Sequence, residues 1–295
     1  MFKFLQVKSG PQKLGPDPGL LSVRQLLEDS KLPISIHALV NLPEPSRQRL
    51  YRVLIPPGLL ALFHASPISW KNLEGEVVVQ VAEKDQPALI NMTLRLSSVP
   101  DDPIFCIELA DNALNGIDLN LIQLNDPAGP RFCTDRTADG RSTMFGTLLR
   151  NIEEEEKAMQ AGLSPGQTRA GLRASAQVFE QLETFMALLS HPSIFLEPLT
   201  YTSAWIFEKR GFAYIRGHKL MDDINREFQP GGLLHRALDG STPFRQPDQW
   251  STVRGRAWAI HDGILEALGQ RWNDLRMVKQ LGRHAGVETF PQAVY

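Results

Sequence analysis

Glu76–Ala82 (EVVVQVA), Ala88–Leu96 (ALINMTLRL), Ile104–Leu109 (IFCIEL) and Ile117–Leu124 (IDLNLIQL) are four strand-length segments rich in valine, isoleucine and leucine. Each is bounded by turn residues, among them the aspartates and proline of Val99–Pro103 and the Asn115–Gly116 pair. The third and fourth alternate apolar and polar residues, as half-buried strands do. Their connections are too short for a parallel crossover, which takes about a dozen residues, so neighbours are expected to run antiparallel. A meander of three or four strands is the predicted product.

Beyond this meander, Pro127–Gly140 (PAGPRFCTDRTADG) has the composition of a loop and ends in an Asp-Gly turn signal. The apolar period then changes from 2 to 3.6. Phe145, Leu149, Ile152 and Met159 make a stripe on one predicted helix, and Leu172, Ala176, Phe179, Leu182, Met186 and Leu189 on a second. A short strand at Ser193–Glu197, a helix near Thr202–Lys209, a strand at Phe212–Arg216 and a helix at Lys219–Phe228 follow. The stripe Trp258, Leu265, Leu268, Trp272, Leu275, Val278 and Leu281 predicts a long amphipathic C-terminal helix.

Prolines 11, 16, 18, 33, 43, 45, 56 and 57 admit only short elements before the meander, such as Leu20–Glu28 and Ser46–Val53. The expected organisation is therefore a proline-rich extension (1–60), an α+β core (61–217) with a mixed, mostly antiparallel sheet flanked by helices, and a helical appendage (218–295).

Composition narrows the function classes. A formal charge of −2 supplies no basic field for nucleic acid. No window approaches the 18 or so apolar residues of a membrane span. Cys106 and Cys133 are too few for a four-thiolate zinc site and are not a CxxC pair. The N-terminus lacks the apolar core of a secretory leader. These features predict a cytoplasmic protein with two reduced thiols and a small-molecule substrate; they do not give its oligomeric state.

Residues 167–214 read QTRAGLRASAQVFEQLETFMALLSHPSIFLEPLTYTSAWIFEKRGFAY. A glycine-containing turn, an amphipathic helix, a short strand ending in an acid, and a helix closing on Phe207-Glu208-Lys209-Arg210-Gly211-Phe212 follow one another. This order resembles the cofactor-binding half of the GNAT N-acyltransferase superfamily. There a glycine-containing turn at a helix N-terminus receives the pyrophosphate of acyl-coenzyme A. The resemblance implies a GNAT-like core, an acetyl-CoA or other acyl-CoA cofactor, and a small amine as acceptor. It places the pyrophosphate on Thr168, Arg169, Gly171, Leu172 and Arg173. The physics agrees: unpaired N–H groups and aligned peptide dipoles favour a phosphate. Thr168 and Arg173 stand at the outer places of the Gln/Arg-x-x-Gly-x-Gly/Ala motif, leaving Gly171 as its match. Phe207 falls on the family's usual tyrosine, Tyr201 on its usual asparagine, and residues 125–167 intervene before the turn.

Projection along the first helix puts Glu155 or Glu156 on its buried face, where a carboxylate of raised pKa would serve as general base. With Phe207 at the tyrosine position, the proton for the leaving thiolate would come from Tyr201 or Tyr214, or from neither. Two alternatives stand beside this reading. One is a GNAT-shaped protein without catalysis that binds a ligand or a protein. The other is an unrelated α+β enzyme with its site in the 127–140 loop, around Arg131, Cys133, Asp135, Arg136 and Asp139. His261 beside Asp262 is expected to be a core histidine, and His218 with Asp222 offers too few ligands for a metal. The cluster of Arg245, Arg254 and Arg256 with Phe244, Trp250 and Trp258 is expected to pack on the core.

Overall fold

The structure, a computed structural model, describes residues 33–99 and 101–295. The expected helix at Leu20–Glu28 lies outside the described residues. Helices α1 (Ile36–Val40), α2 (Glu44–Leu54) and α3 (Pro57–Leu62) precede strands β1 (Val79–Asp85), β2 (Ala88–Leu94), β3 (Phe105–Asp111) and β4 (Ile117–Leu124). Then come α4 (Ile152–Gln160), α5 (Ser175–Leu188), β5 (Ser193–Leu196), α6 (Tyr201–Lys209), β6 (Ala213–Arg216), α7 (His218–Phe228), α8 (Leu233–Arg236), α9 (Val253–His261) and β7 (Arg276–Gln280).

The strands form one seven-stranded open sheet in the order β1-β2-β3-β4-β5-β7-β6. The meander is antiparallel as its short turns require, and β5–β7 and β6–β7 are antiparallel too. Among the described strands only β4 and β5 run parallel, as the long connection between them allows. The fold is thus α+β with a mixed, mostly antiparallel sheet.

Alternation decides which face is covered. Ile90, Met92 and Leu94 of β2 stand opposite Leu109, Ile107 and Phe105 of β3, and all six are buried. They join α1, α2 and α5 in the main core, with Leu39, Tyr51, Leu54, Leu182 and Phe185 fully enclosed. Each such side chain contributes roughly 1.5–3 kcal/mol by leaving water. The described part of 1–60 is therefore integral to this core rather than a wrap around it. A second cluster joins α6, α7, α9 and the C-terminal tail.

Helix ends follow known capping chemistry. The α6 helix closes with Gly211 left-handed at φ 86°, where Gly211 N–H bonds to Glu208 O and Phe212 N–H to Phe207 O. Phe212 also packs on Phe207, with ring centroids 5.5 Å apart. This is the Schellman pattern with its apolar contact, and it accounts for the sequence EKRGF without reference to any ligand.

Two readings of the sequence are corrected. The stripe from Trp258 to Leu281 is not one helix: left-handed Gly263 and Gly269 break it after α9. The remainder crosses the sheet as β7, with Met277 and Lys279 buried alternately. Leu275, Val278 and Leu281 match a helical spacing by coincidence. The C-terminal region is accordingly no appendage, since it supplies the strand between β5 and β6. The stripe from Phe145 to Met159 is also shorter than expected. Met144, Phe145 and Gly146 all have left-handed φ, so the helix starts only at Ile152, which is exposed. Its buried residues are Glu155 and Ala158.

Candidate functional site

The parallel pairing of β4 with β5 lasts three residues, Ile117–Leu119 against Ile194–Leu196. There β5 ends, while β4 continues to Leu124. On its other side, β4 carries a bulge at the same point: Leu119 faces Leu109 and Leu121 faces Glu108, leaving Asn120 as the extra residue. A bulge bends and twists its strand. The two strands therefore part beyond Leu119 and Leu196, at the carboxyl ends where open sheets commonly hold ligands.

The N-terminus of α5 lies beside the end of β4. A Cβ on Gly171 would come within 3.3 Å of the Leu124 carbonyl oxygen, so this approach suits glycine. The turn is anchored by Asp126 N–H to Ala170 O and Phe132 N–H to Thr168 O, both 2.8 Å. Its N-cap, Ala174, supplies no side-chain bond. Among the described residues no acceptor receives the backbone N–H groups of residues 171–177. Arg173 has φ +56°, and a left-handed residue leading into a helix turns successive N–H groups into one concavity.

The side chains around this end carry both signs of charge and are unevenly committed. Arg173 is exposed and has no polar partner among the described residues. Arg210 donates to Ser175 Oγ at 2.9 Å. A depression of about 440 Å³ borders the first turns of α5, lined by Ala176, Glu180, Lys209, Arg210 and His284 among others. Of the other residues expected to hold pyrophosphate, Thr168 is buried and Leu172 packs against the main core. Arg169 donates to Asp102 Oδ2 at 2.8 Å and Gly129 O at 2.6 Å, so it braces the loop instead.

The residues expected to move protons are dispersed. Glu155 is buried, and its carboxylate meets Arg150 at 2.5 Å and His261 Nε2 at 3.2 Å. Burial pushes its carboxyl up, but the hydrogen bonds from His261 and Arg150 outweigh that and leave it below the usual range. The raised pKa expected from burial alone is thus corrected, because a guanidinium accompanies the acid inward. Arg150 also bonds Asp262 at 2.8 Å, and Arg245 bonds Asp262 at 2.8 Å, closing a partly buried charge network. Glu156 is half-buried and accepts from Gln160 at 3.2 Å.

Tyr201 is fully buried, 3.5 Å from Arg256 Nη1. Tyr214 donates to Glu208 at 2.7 Å. Burial first, then the Glu208 charge, pushes the Tyr214 phenol well above its ordinary value. Neither hydroxyl is poised to release a proton at neutral pH.

A constellation that sequence reading missed lies on the opposite sheet face. Glu108 Oε2 accepts from Asn91 at 3.0 Å and Oε1 from Asn120 at 3.3 Å, which places a half-buried carboxylate at the β4 bulge. One signal was available: a lone acid inside the apolar strand IFCIEL. Its amide partners come from two other strands and needed the register. Neighbouring Cys106 is buried, which pushes its thiol up to about 11.

In the 127–140 loop, Arg131 ties Asp102 and Asp135 together, at 2.9 and 2.8 Å. Cys133 is exposed, with Arg131 Nη1 3.3 Å from its sulfur and Glu154 accepting its N–H at 2.9 Å. No imidazole accompanies it among its bonded partners. These contacts link the loop to the segment before β3 and to α4. Arg245 and Arg254 pack as expected, on Asp262 and over the Tyr295 ring respectively.

Fold and site together define an α+β protein with an open seven-stranded sheet, an uncapped helix terminus beside the end of β4, and a half-buried carboxylate at the β4 bulge on the opposite sheet face. No family model, curated protein or solved structure matches the chain. Among the described residues no helix is long and apolar enough to cross a membrane, and no cluster of three metal-ligating side chains occurs.

Proposed function

We propose that the chain is a divergent acyl-CoA-dependent N-acyltransferase acting on a small amine. One observation carries the reading: an uncapped helix N-terminus with the uncommitted Arg173 lies beside the end of β4, in the stretch of that strand that β5 no longer pairs. The N–H groups of the α5 turn and Arg173 would hold pyrophosphate, and the pantetheine arm would pass between the strands. Glu108, across the sheet at the bulge, takes the part assigned from sequence to Glu155 or Glu156. It would accept a proton from the ammonium, and the free amine would attack the thioester carbonyl. The carbon–sulfur bond then breaks with its electron pair on sulfur, and the second amine proton converts the thiolate to free coenzyme A. Tyr201 and Tyr214 have no part in this step.

A second reading, a GNAT-shaped protein without catalysis, is favoured by the Ser164–Thr202 hydrogen bond of 3.1 Å, which ties the 125–170 segment to the start of α6. Titration calorimetry with acetyl-CoA and free coenzyme A, followed by turnover of an acceptor amine, tests these readings. Saturable binding weakened roughly tenfold by Arg173→Glu, about 1.4 kcal/mol, supports the cofactor site. Glu108→Gln should preserve that binding while lowering turnover of an acceptor amine by roughly 10²–10⁴. Binding with no turnover of any amine supports the second reading with coenzyme A as its ligand, and no binding at millimolar ligand rejects the acyltransferase.

A further inference from the structure

Glu208 on α6 and Arg256 on α9 carry opposite charges at zero exposure, and neither has an ion-pair partner among the described residues. Buried charges are ordinarily paired, because an ion removed from water without a counter-ion is strongly disfavoured. Arg256 donates Nε–H to Trp250 O at 2.6 Å and Nη1–H to Asn225 Oδ1 at 2.9 Å. Its Nη2 has no acceptor among the described residues. Adjacent residues of the tail touch both groups, Thr289 the acid and Phe290 the base, so the two lie in one buried neighbourhood.

Two adjacent residues of the C-terminal tail roof them. Thr289 gives Glu208 two hydrogen bonds, from N–H at 3.0 Å and Oγ1 at 2.7 Å. Phe290 lays its ring 3.5 Å from the Arg256 guanidinium carbon. The tail thus presents donors to the acid and the negative π-face to the base, which is the charge pattern of a zwitterion. It approaches through Gly286, left-handed at φ 70° with no crowding neighbour, and is tied further on by Val253 N–H to Val294 O at 2.9 Å.

We propose that Arg256 and Glu208 form a closed receptor for a small zwitterion of the α-amino-acid type. Its carboxylate bonds Nη2 of Arg256 and its ammonium bonds Glu208. Residues 288–290 occupy this place as an internal surrogate and move aside between Gly286 and Val294, breaking the Lys209–Glu288 ion pair, to admit the ligand. The inference is independent of the acyltransferase reading.

The test is calorimetry and thermal unfolding of the full chain with glycine and L-leucine, with acetate and methylammonium as single-charge controls. Both zwitterions should bind more tightly than either control. Removing the surrogate ring by Phe290→Ala should tighten that binding about tenfold. Glu208→Gln should erase the preference for glycine over acetate, and Arg256→Met should abolish binding. Should Arg256→Met fail to fold, Glu208→Gln decides alone. No saturable binding by Phe290→Ala, or equal binding of glycine and acetate, overturns the proposal.

Discussion

Glu155 shows how a buried acid stays ionised. Its carboxylate is enclosed, yet Arg150 and His261 hold it as the anion. Because the folded value lies below the unfolded one, the stabilisation is present above the unfolded pKa, about 4.3, and fades as pH falls through the folded value. Glu155→Gln should cost about 3 kcal/mol at pH 7, since it leaves Arg150 short of a counter-charge in a low-dielectric site. Urea titrations at pH 7 and pH 3 check this: the gap between variant and parent should narrow at the lower pH. An equal gap at both would locate the loss in packing. Helical period narrowed the buried acid to Glu155 or Glu156, although Ile152 of the stripe it was projected from is exposed and the buried face is that of Glu155 and Ala158. The partner His261 was not readable, being 106 residues away. Nothing in local sequence reports which distant side chain will neutralise an acid.

At the scale of elements, α5 has a capped end and an open one. At its C-terminus Ser190 is left-handed, and His191 N–H bonds to Met186 O at 2.9 Å, completing a Schellman turn without glycine. At its N-terminus the corresponding donors have no partner. Ala174→Asp places an acceptor at the N-cap and should stabilise the protein by about 0.5–2 kcal/mol. The same carboxylate would occupy the place proposed for pyrophosphate, so binding of coenzyme A should weaken as stability rises. Paired melting and calorimetry would show the opposed shifts; unchanged affinity would place the ligand elsewhere. Elements with one clear period were legible: β4 matches its predicted Ile117–Leu124, and α7 begins one residue before the predicted Lys219. Those that failed had competing signals. In the region of β7, apolar residues three apart imitate a helix while the strand alternation covers only Arg276–Gln280. The glycines that break the stripe, Gly263 and Gly269, were visible but outweighed by its length.

For the molecule as a whole, β7 is where two hydrophobic clusters become one structure. Met277 belongs to the main core, two residues from Leu275, which belongs to the second. Tyr214 on β6 packs against both, and it bonds the buried Glu208 that also anchors the tail. Arg276 reaches across to Asp118 of β4 at 2.6 Å, so the strand is also tied to the meander. A chain ending at Asp274 would lose the only described hydrogen-bonding partner of β6 and one of the two partners of β5. It would also uncover Glu208 and the guanidinium of Arg256. Were the C-terminal region an appendage, that truncation would leave a sheet of six strands with a cooperative melt and intact near-ultraviolet circular dichroism. With β7 between β5 and β6, the truncated chain should instead keep much of its far-ultraviolet signal, lose the near-ultraviolet signal and melt without a sharp transition. Hydrogen exchange in the full chain tests the same point without truncation. Amides of β7 should be protected as strongly as those of β3, because both open only with the whole sheet.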